Sequence, residues 1–341
     1  MDKPSTITYM VALDNGNPSK EVEYRDELFE LNAPFKGNGN TIFKSINRLA
    51  GIIWGNKTNA VAIDYWIKNR NEKTYLFNPS NINQKPRIIY DRNYQDRYSD
   101  PGSFITERNA FNKSVLKIDS NNLILMGDGY SEKGQFPFVD RLNLDNLKSK
   151  RIYESNYTNK LENLVDFDVN KKQLLVRIES KNDYPNYYFK NLNGKKVTRI
   201  TDFNNPFEQL SKVDKQVITY KRNDGVELSG VLYLPVGYDK TSKEKMPMIM
   251  WAYPREFKDK SSAGQNTNNP NEFTYPYYGS MVYWVTKGYV VLDDASFPII
   301  GEDKTEPNDD FRNQLVENAR AAINAVDKLG YIDKDRVAVG G

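Results

Sequence analysis

The stretch Val337-Ala338-Val339-Gly340-Gly341 joins a short apolar run directly to two glycines. A buried strand that ends in Gly-Gly has two common uses at a strand-to-helix turn. A phosphate-binding loop would need more glycines before its helix. A nucleophile elbow, G-x-S-x-G, places a serine on a sharp turn two residues after its first glycine. In the second interpretation Gly341 is that first glycine, and we expect the serine two residues beyond it.

The sequence pattern changes near Ser211, and the residues after Ser211 alternate between predicted strands and helices. Asn223-Asp224-Gly225 is a strong hairpin signal between two apolar runs. Pro247 to Trp251 is nearly all apolar, as expected for a strand buried on both faces. Tyr278 to Lys287 is predicted as a helix that Gly288 ends, with a strand over Val290 to Leu292.

A long amphipathic helix is predicted next, with Asp309 or Asp310 as its cap and Gly330 as its stop. Its apolar positions are Phe311, Leu315, Val316, Ala319, Ile323, Val326 and Leu329. The order hairpin, strand, helix, strand, helix, strand predicts the beginning of a doubly wound α/β sheet. Residues 211–341 are therefore predicted to be the N-terminal part of an α/β-hydrolase domain.

Residues 1–210 are predicted to form an incomplete β-propeller. Short β runs alternate there with polar turns: Ile52–Trp54, Val61–Trp66, Thr74–Phe77, Arg87–Tyr90, Val115–Ile118, Leu123–Met126, Phe138–Leu142, Arg151–Tyr153, Val165–Val169, Leu174–Ile178, Tyr187–Lys190 and Val197–Ile200. Grouping by fours favours propeller blades, and a β-sandwich is the alternative.

Aromatic residues on these runs could form a carbohydrate-stacking surface, but packing between blades is the usual role of such side chains. They are Trp54, Tyr65, Trp66, Tyr75, Phe77, Tyr187 and Tyr188. The charged stretch Asp91 to Gly102 ends in the turn signal Asp-Pro-Gly and is predicted to be a solvated loop between blades.

Composition excludes several kinds of site within the 341 residues. There are 48 Lys+Arg against 45 Asp+Glu, a balance that does not indicate nucleic acid as a partner. Cysteine is absent, so there is no disulfide, thiolate metal site or cysteine nucleophile. Histidine is absent too, so a complete Ser-His-Asp triad is excluded, although a part of a triad enzyme is not. No apolar segment is long enough to predict a membrane span.

Several motifs resemble the prolyl oligopeptidase family of serine peptidases, and within it the glutamyl endopeptidase branch. They are Tyr24-Arg25-Asp26-Glu27, Ala33-Pro34-Phe35, Ile53-Trp54-Gly55, the Asp91 to Gly102 stretch, the run from Trp251 to Phe257, the run from Phe297 to Glu302, and Asn308 to Gly341. The resemblance implies a β-propeller that caps an α/β-hydrolase, with the catalytic Ser, Asp and His beyond Gly341 and the first blades before Met1. We therefore expect an internal fragment, inactive by itself.

The resemblance implies one catalytic group within the chain. In the family, a tyrosine just after a hydrolase strand donates its hydroxyl to the oxyanion, and Tyr253 has that position. The alternative is an aromatic side chain that packs at the strand end. Arg255 is a candidate for binding an acidic substrate side chain, although most exposed arginines are merely solvated. Glu302, Asp303, Asp309 and Asp310 suggest a metal site, but helix capping explains the last pair better, and we predict no metal or cofactor.

Three functions remain open at this point. The first is a serine endopeptidase whose substrates are peptides or proteins. The second is a dipeptidyl or acylaminoacyl exopeptidase of the same fold. The third is a propeller binding protein with an inactive hydrolase-like domain, which the residues after Gly341 would distinguish. The sequence leaves the oligomeric state and the compartment, cytoplasmic or periplasmic, unassigned.

Overall fold

The computed structural model describes residues 5–194, 196–242 and 244–341. The chain forms two compact units, and each is described by itself. Unit 1 comprises Met1–Tyr94, Ser99–Gly127 and Phe138–Tyr153, and unit 2 comprises Gln95–Tyr98, Asp128–Pro137 and Glu154–Gly341. The domain boundary near Ser211 is drawn from sequence pattern alone and stays a prediction.

The first sixteen strands lie before residue 155. They are β1 (Thr6–Ala12), β2 (Asp26–Asn32), β3 (Asn40–Ser45), β4 (Arg48–Trp54), β5 (Ala60–Trp66), β6 (Asn71–Phe77), β7 (Arg87–Asn93), β8 (Ser103–Phe104), β9 (Thr106–Arg108), β10 (Ser114–Leu116), β11 (Ile118–Asp119), β12 (Asn122–Gly127), β13 (Tyr130–Ser131), β14 (Gly134–Gln135), β15 (Phe138–Asn143) and β16 (Ser149–Glu154). Every β run predicted between residues 52 and 153 falls on one or two of them. The sequence pattern does not predict β1, β2, β3, β8, β9, β13 and β14.

Unit 1 consists of antiparallel sheets in which most strands pair with their neighbours along the chain. The first sheet has the order β1-β2-β3, and the second has the order β4-β5-β6-β7. The third has the order β11-β12-β15-β16, with β8 also paired to β12. All the sheets that the described residues form are open, an arrangement compatible with an incomplete propeller.

Aromatic side chains join the first two sheets of unit 1. The ring of Phe43 on β3 lies 5.4 Å from Tyr75 and 4.9 Å from Phe77, both on β6. Trp54 on β4 meets Phe77 edge-on at 6.4 Å. The prediction that strand aromatics pack between sheets is confirmed for Tyr75 and Phe77, whereas Trp54 contacts Phe77 within its own sheet and Tyr65 is 44% exposed.

A buried ionic cluster also connects elements of unit 1. Asp14 is fully buried and pairs with Arg25 at 2.9 Å and with Arg48 at 2.5 Å. Arg48 also pairs with Asp26 on β2 at 2.7 Å. Because each buried charge has an opposite partner, the cost of removing it from water is offset.

The remaining strands and the helices belong to unit 2. They are β17 (Leu161–Asp168), β18 (Gln173–Glu179), β19 (Asn186–Asn191), β20 (Val197–Arg199), a 3₁₀ helix (Glu208–Leu210), β21 (Lys215–Lys221), β22 (Glu227–Tyr233), β23 (Met246–Trp251), β24 (Pro254–Phe257), α1 (Lys260–Ala263), a second 3₁₀ helix (Met281–Lys287), β25 (Val290–Asp293), β26 (Phe297–Ile300), a third 3₁₀ helix (Pro307–Asp310), α2 (Phe311–Lys328) and β27 (Ile332–Gly340).

Among its described residues, unit 2 contains the antiparallel pair β13-β14, a four-stranded antiparallel sheet of order β17-β18-β19-β20, and a mixed sheet. The mixed sheet has the order β21-β22-β25-β23-β27, in which β23 runs parallel to both β25 and β27. β24 follows β23 along the chain and β26 follows β25, and these two strands, β24 and β26, form a separate two-stranded parallel sheet. The predicted hairpin is confirmed, because β21 and β22 pair antiparallel and Gly225 has a φ of 87°.

The predicted helix over Tyr278 to Lys287 needs correction. It is a 3₁₀ helix that begins at Met281, because the Ser280 hydroxyl accepts a hydrogen bond from the Val282 amide and fixes the start. The predicted stop is confirmed, since Gly288 takes the left-handed conformation at the C-cap.

The cap and the buried face of α2 also differ from the prediction. Asp310 stands at the N-cap without a capping side-chain bond, and a capping box of Glu306 and Asp309 lies one turn earlier. Val316 and Leu329 are exposed, whereas Asn318 is fully buried. Asn318 donates to the Pro298 carbonyl at 3.0 Å and accepts from Arg222 at 2.9 Å, so its polar groups are satisfied in the interior.

Candidate active site

Three parallel strands of unit 2 end at the same edge of the mixed sheet. Their register pairs Met250 with Leu292 and Trp251 with Gly340. The residues at the carboxyl ends of β25, β23 and β27 therefore come together, although they are far apart in sequence. In open sheets with parallel strands, binding sites form at the carboxyl ends of the strands.

Tyr253 lies at this edge, one residue after Ala252 and directly before β24. Its side chain is 61% exposed. Its ring meets the Trp251 ring edge-on, with 6.2 Å between the ring centroids. The phenol is thus held on an ordered strand end while remaining accessible to a ligand.

Gly340 and Gly341 lie against the same strand end as Tyr253. The Ala252 amide donates to the Gly340 carbonyl at 2.9 Å. A Cβ on Gly341 would stand 1.9 Å from the Ala252 carbonyl oxygen, a distance that no side chain could adopt without moving the backbone. Gly341 therefore lies beside Ala252, the residue before Tyr253, and the catalytic roles of Gly341 and Tyr253 stay predictions.

Arg255 is exposed on β24, two residues after Tyr253. Its register partner on β26 is Pro298. Desolvation raises the pKa of the Asp294 carboxyl, and the positive charge of Arg255 acts in the opposite direction. Arg255 therefore already lies within electrostatic reach of one carboxylate of its own chain.

Two acidic residues at the same edge, Asp293 and Asp294, are absent from the sequence-based candidates. Burial raises the pKa of Asp293, and the charge of Lys215 partly opposes this rise. The signal available was the position of two consecutive acids at the end of the apolar run of β25. A raised carboxyl pKa beside a strand end is typical of functional sites as well as of structural ion networks.

Lys215 is a buried cation that faces this acidic edge from β21. Its ammonium donates to the Glu272 carbonyl at 2.6 Å and lies over the Tyr233 ring at 5.8 Å. Desolvation lowers the pKa of Lys215, and the charges of Glu272, Glu179 and other acids oppose that change. The cation and the surrounding carboxylates thus compensate each other in the interior of unit 2.

The acidic residues after β26 serve local structure. The Asp309 carboxylate accepts from the Glu306 amide at 2.8 Å, and Asp310 accepts from the Asn313 side chain at 2.6 Å. Over the described ranges 5–194, 196–242 and 244–341, no group of His, Cys, Asp and Glu side chains has the arrangement of a metal site. No helix in the same ranges is both long and apolar enough to cross a bilayer.

Two curated plant proteins match the chain over its whole length. A probable chloroplastic glutamyl endopeptidase of Oryza sativa subsp. japonica is 35% identical over 356 aligned positions, and one of Arabidopsis thaliana is 34% identical over 357. The resemblance to the glutamyl endopeptidase branch is confirmed. The chain spans 38% and 37% of the length of these two relatives. No family model matches it.

Solved structures agree in fold. Oligopeptidase B from Trypanosoma brucei superimposes with a TM-score of 0.55 at 12% identity, covering 99% of this chain and 46% of the enzyme. Dipeptidyl peptidase 4 from Porphyromonas gingivalis gives a TM-score of 0.54 at 13% identity, covering 92% of this chain and 48% of the enzyme. Both neighbours are peptidases of the prolyl oligopeptidase family, whose members carry propeller domains.

Proposed function

We propose that the chain is part of a serine peptidase of the prolyl oligopeptidase family. In this proposal residues 1–210 contribute blades to a propeller and residues 211–341 are the first part of an α/β-hydrolase domain. The nucleophilic serine, the aspartate and the histidine lie in further sequence of the same protein. Its substrates are peptides or proteins, which it cleaves through an acyl-enzyme.

The observation that carries the proposal is that Gly340 and Gly341 lie beside Trp251 and Ala252, the two residues directly before Tyr253, at the carboxyl ends of β23 and β27. In acyl transfer the serine oxygen bonds to the scissile carbonyl carbon, and the carbonyl oxygen takes on negative charge. A serine two residues after Gly341 would stand beside the strand end that carries Tyr253. The phenol hydroxyl would then donate a hydrogen bond to that oxygen, together with the backbone amide after the serine.

We extend the proposal to cleavage after acidic residues, with Arg255 as the group that binds the acidic side chain. The names of the two plant relatives and the exposure of Arg255 beside Tyr253 support this extension.

Arg255→Met should lower kcat/KM for a peptide with Glu at the cleavage position by about tenfold or more, since a hydrogen-bonded ion pair is lost. The same change should leave an Ala peptide within about twofold. Arg312→Met, at an exposed arginine at the start of α2, is the control.

The test of the function uses the protein expressed from its complete reading frame. A fluorophosphonate probe should label one serine, and blocked peptides with an internal Glu should be cleaved. The 341-residue chain is the negative control, because it contains no histidine to serve as the base. Loss of the base and nucleophile typically lowers kcat by about a million-fold.

The possible results separate the three functions. Cleavage at an internal Glu far from both ends of a peptide, whether or not its N-terminus is blocked, supports the endopeptidase. Release of only an N-terminal dipeptide or of a single acylated residue would replace it with an exopeptidase of the same fold. A complete protein that neither reacts with the probe nor cleaves any peptide would contradict the proposal and favour a binding protein.

A further inference from the structure

The short segment Gln95–Tyr98 belongs to unit 2, although its neighbours along the chain belong to unit 1. The Gln265 side chain forms hydrogen bonds to this segment with both its amide nitrogen and its oxygen. Its amide nitrogen donates to the Asp96 carboxylate at 2.6 Å, and its oxygen accepts from the Arg97 amide at 2.7 Å. A hydrogen bond to a charged group is stronger than one between neutral groups.

Two further contacts fix the same segment. The Tyr98 hydroxyl accepts from the Asn266 amide at 3.0 Å. The Gln95 side chain donates to the Glu256 carbonyl at 2.6 Å. We use the name polar clamp for Gln95, Asp96 and Tyr98 together with Gln265 and Asn266.

The contact with Glu256 links the polar clamp to the candidate active site. Glu256 lies on β24, which begins one residue after Tyr253 and has β26 as its strand partner. Before Tyr253, the backbone is fixed by the bond from the Ala252 amide to Gly340 at 2.9 Å. After Tyr253, it is fixed by β26 and by the polar clamp.

The Tyr253 side chain is 61% exposed and packs edge-on against the Trp251 ring of β23. The position of its hydroxyl therefore depends on that contact and on the backbone at both ends. We propose that the polar clamp is a positioning device for Tyr253, with Gln265 and Asp96 as its central pair. This inference rests on the proposed function, in which the hydroxyl must meet a developing oxyanion within hydrogen-bond distance.

Changes in the polar clamp should leave unit 2 folded, because the segment after Gln265 has other attachments. The Phe273 amide donates to the buried Glu179 carboxylate at 3.0 Å. Lys215 donates to the Glu272 carbonyl at 2.6 Å, and the Asn271 side chain donates to the Thr158 carbonyl at 3.1 Å.

The experiment removes the bond across the central pair and compares the result with a variant that keeps an acceptor there. In Gln265→Glu two carboxylates face each other, so the bond to Asp96 is lost. Asp96→Asn is the conservative variant, because its amide oxygen can still accept from Gln265 and from the Tyr98 amide, as one Asp96 oxygen does at 2.6 and 3.0 Å. Gln84→Leu is the matched control, because it removes a 2.9 Å side-chain amide contact with Asn78 in unit 1.

Hydrogen–deuterium exchange on the 341-residue chain gives the first readout. Exchange of peptides covering residues 252–258 should rise about tenfold in Gln265→Glu, the factor expected for one charge-assisted bond. It should stay within about threefold of the wild-type rate in Asp96→Asn and unchanged in Gln84→Leu. Unchanged exchange in Gln265→Glu, or an equal rise in Asp96→Asn, would overturn the inference.

Kinetics on the protein from the complete reading frame give the second readout. A misplaced oxyanion donor should lower kcat of Gln265→Glu by about tenfold with KM within about twofold, and Asp96→Asn should keep kcat within about threefold of wild type. A normal kcat in a variant whose β24 exchanges faster would refute positioning. If the wild-type protein cleaves nothing, the proposed function fails, and the exchange rates alone decide whether the polar clamp holds β24.

Discussion

The sheet β4–β7 of unit 1 and the mixed sheet of unit 2 differ in how their strands are connected along the chain. In β4–β7 every strand pairs with its neighbour along the chain. In the mixed sheet β25 lies between β22 and β23, and β27 joins β23 only after α2. The first arrangement is built from local turns and the second from crossover connections.

Their interiors differ as well. Asp64 is fully buried on β5, where it accepts from the Asn47 side chain at 3.0 Å and from the Tyr75 hydroxyl at 3.0 Å. In the mixed sheet the central side chains Met250 and Leu292 are apolar and fully buried. A chain of local turns can satisfy a buried charge with nearby residues. Crossover connections instead bring strand ends from distant parts of the sequence to one edge, where the candidate site lies.

The largest expected effect is on the core of the mixed sheet. Leu292→Ala should lower the free energy of unfolding by about 2–5 kcal/mol, because it leaves a cavity between strands that are close-packed. Urea denaturation followed by circular dichroism measures this. Leu329→Ala, at a leucine 44% exposed after α2, is the control and should change stability by about 0.5 kcal/mol or less. Equal effects would show that the described core is misassigned.

Tyr253→Phe tests the edge at which crossover strands meet. In the protein from the complete reading frame, removing the hydroxyl should lower kcat about 10²–10³-fold, roughly 2.7–4 kcal/mol, with little change in KM. Tyr65→Phe is a matched control, because Tyr65 is also exposed and meets Tyr94 edge-on at 6.0 Å. Activity of Tyr253→Phe within a few-fold of wild type would assign Tyr253 to packing.

Two buried carboxylates of unit 1 should respond to pH in opposite directions. Hydrogen bonds from Arg48 lower the pKa of Asp14 below 3.8, the ordinary value for an aspartate in the unfolded chain. The contribution of Asp14 to stability is therefore present above pH 3.8 and is lost as pH falls through the folded-state pKa. Desolvation raises the pKa of Asp64, so its contribution is present below pH 3.8 and is lost as pH rises through the folded-state pKa.

Unfolding of Asp14→Asn and Asp64→Asn at several pH values measures these slopes. The destabilisation by Asp14→Asn should grow as pH rises from acid, and that by Asp64→Asn should shrink. At acid pH, Asp64→Asn should cost about 1–3 kcal/mol for the hydrogen bonds it disrupts. Slopes of the same sign would contradict the assigned environments.

The smallest effect concerns a local cap. The Asp259 carboxylate accepts from the Ser262 amide at 2.6 Å at the start of α1. Asp259→Ala should cost about 1 kcal/mol, the usual value of a helix N-cap. Asp259→Asn keeps an accepting oxygen and should cost less, and both are measured by thermal unfolding. A loss of several kcal/mol would mean that Asp259 supports more than one turn of helix.

The sequence predicts where strands and helices lie better than it predicts the type and length of each helix. Apolar runs bounded by turn residues locate the β strands after residue 50. This works because a turn, such as the hairpin at Gly225, is determined by a few neighbouring residues. The 3₁₀ helix that begins at Met281 is shorter than the sequence predicts, since a short helix buried on one side has no strong sequence signature. The buried position of Asn318 on α2 could not be predicted, because its partners Pro298 and Arg222 are far away in the chain.

For the candidate site, the sequence by itself determined that the chain lacks histidine, and that Gly341 and Tyr253 each follow an apolar run. These are statements about composition and neighbouring residues. Only the tertiary structure decided that β23 and β27 are adjacent, that Asp293 and Asp294 share their edge, and that the Gln95–Tyr98 segment holds β24. The physical reason is that parallel pairing and side-chain hydrogen bonds act here across about 40 to 160 residues of sequence, a distance over which local propensity carries no information.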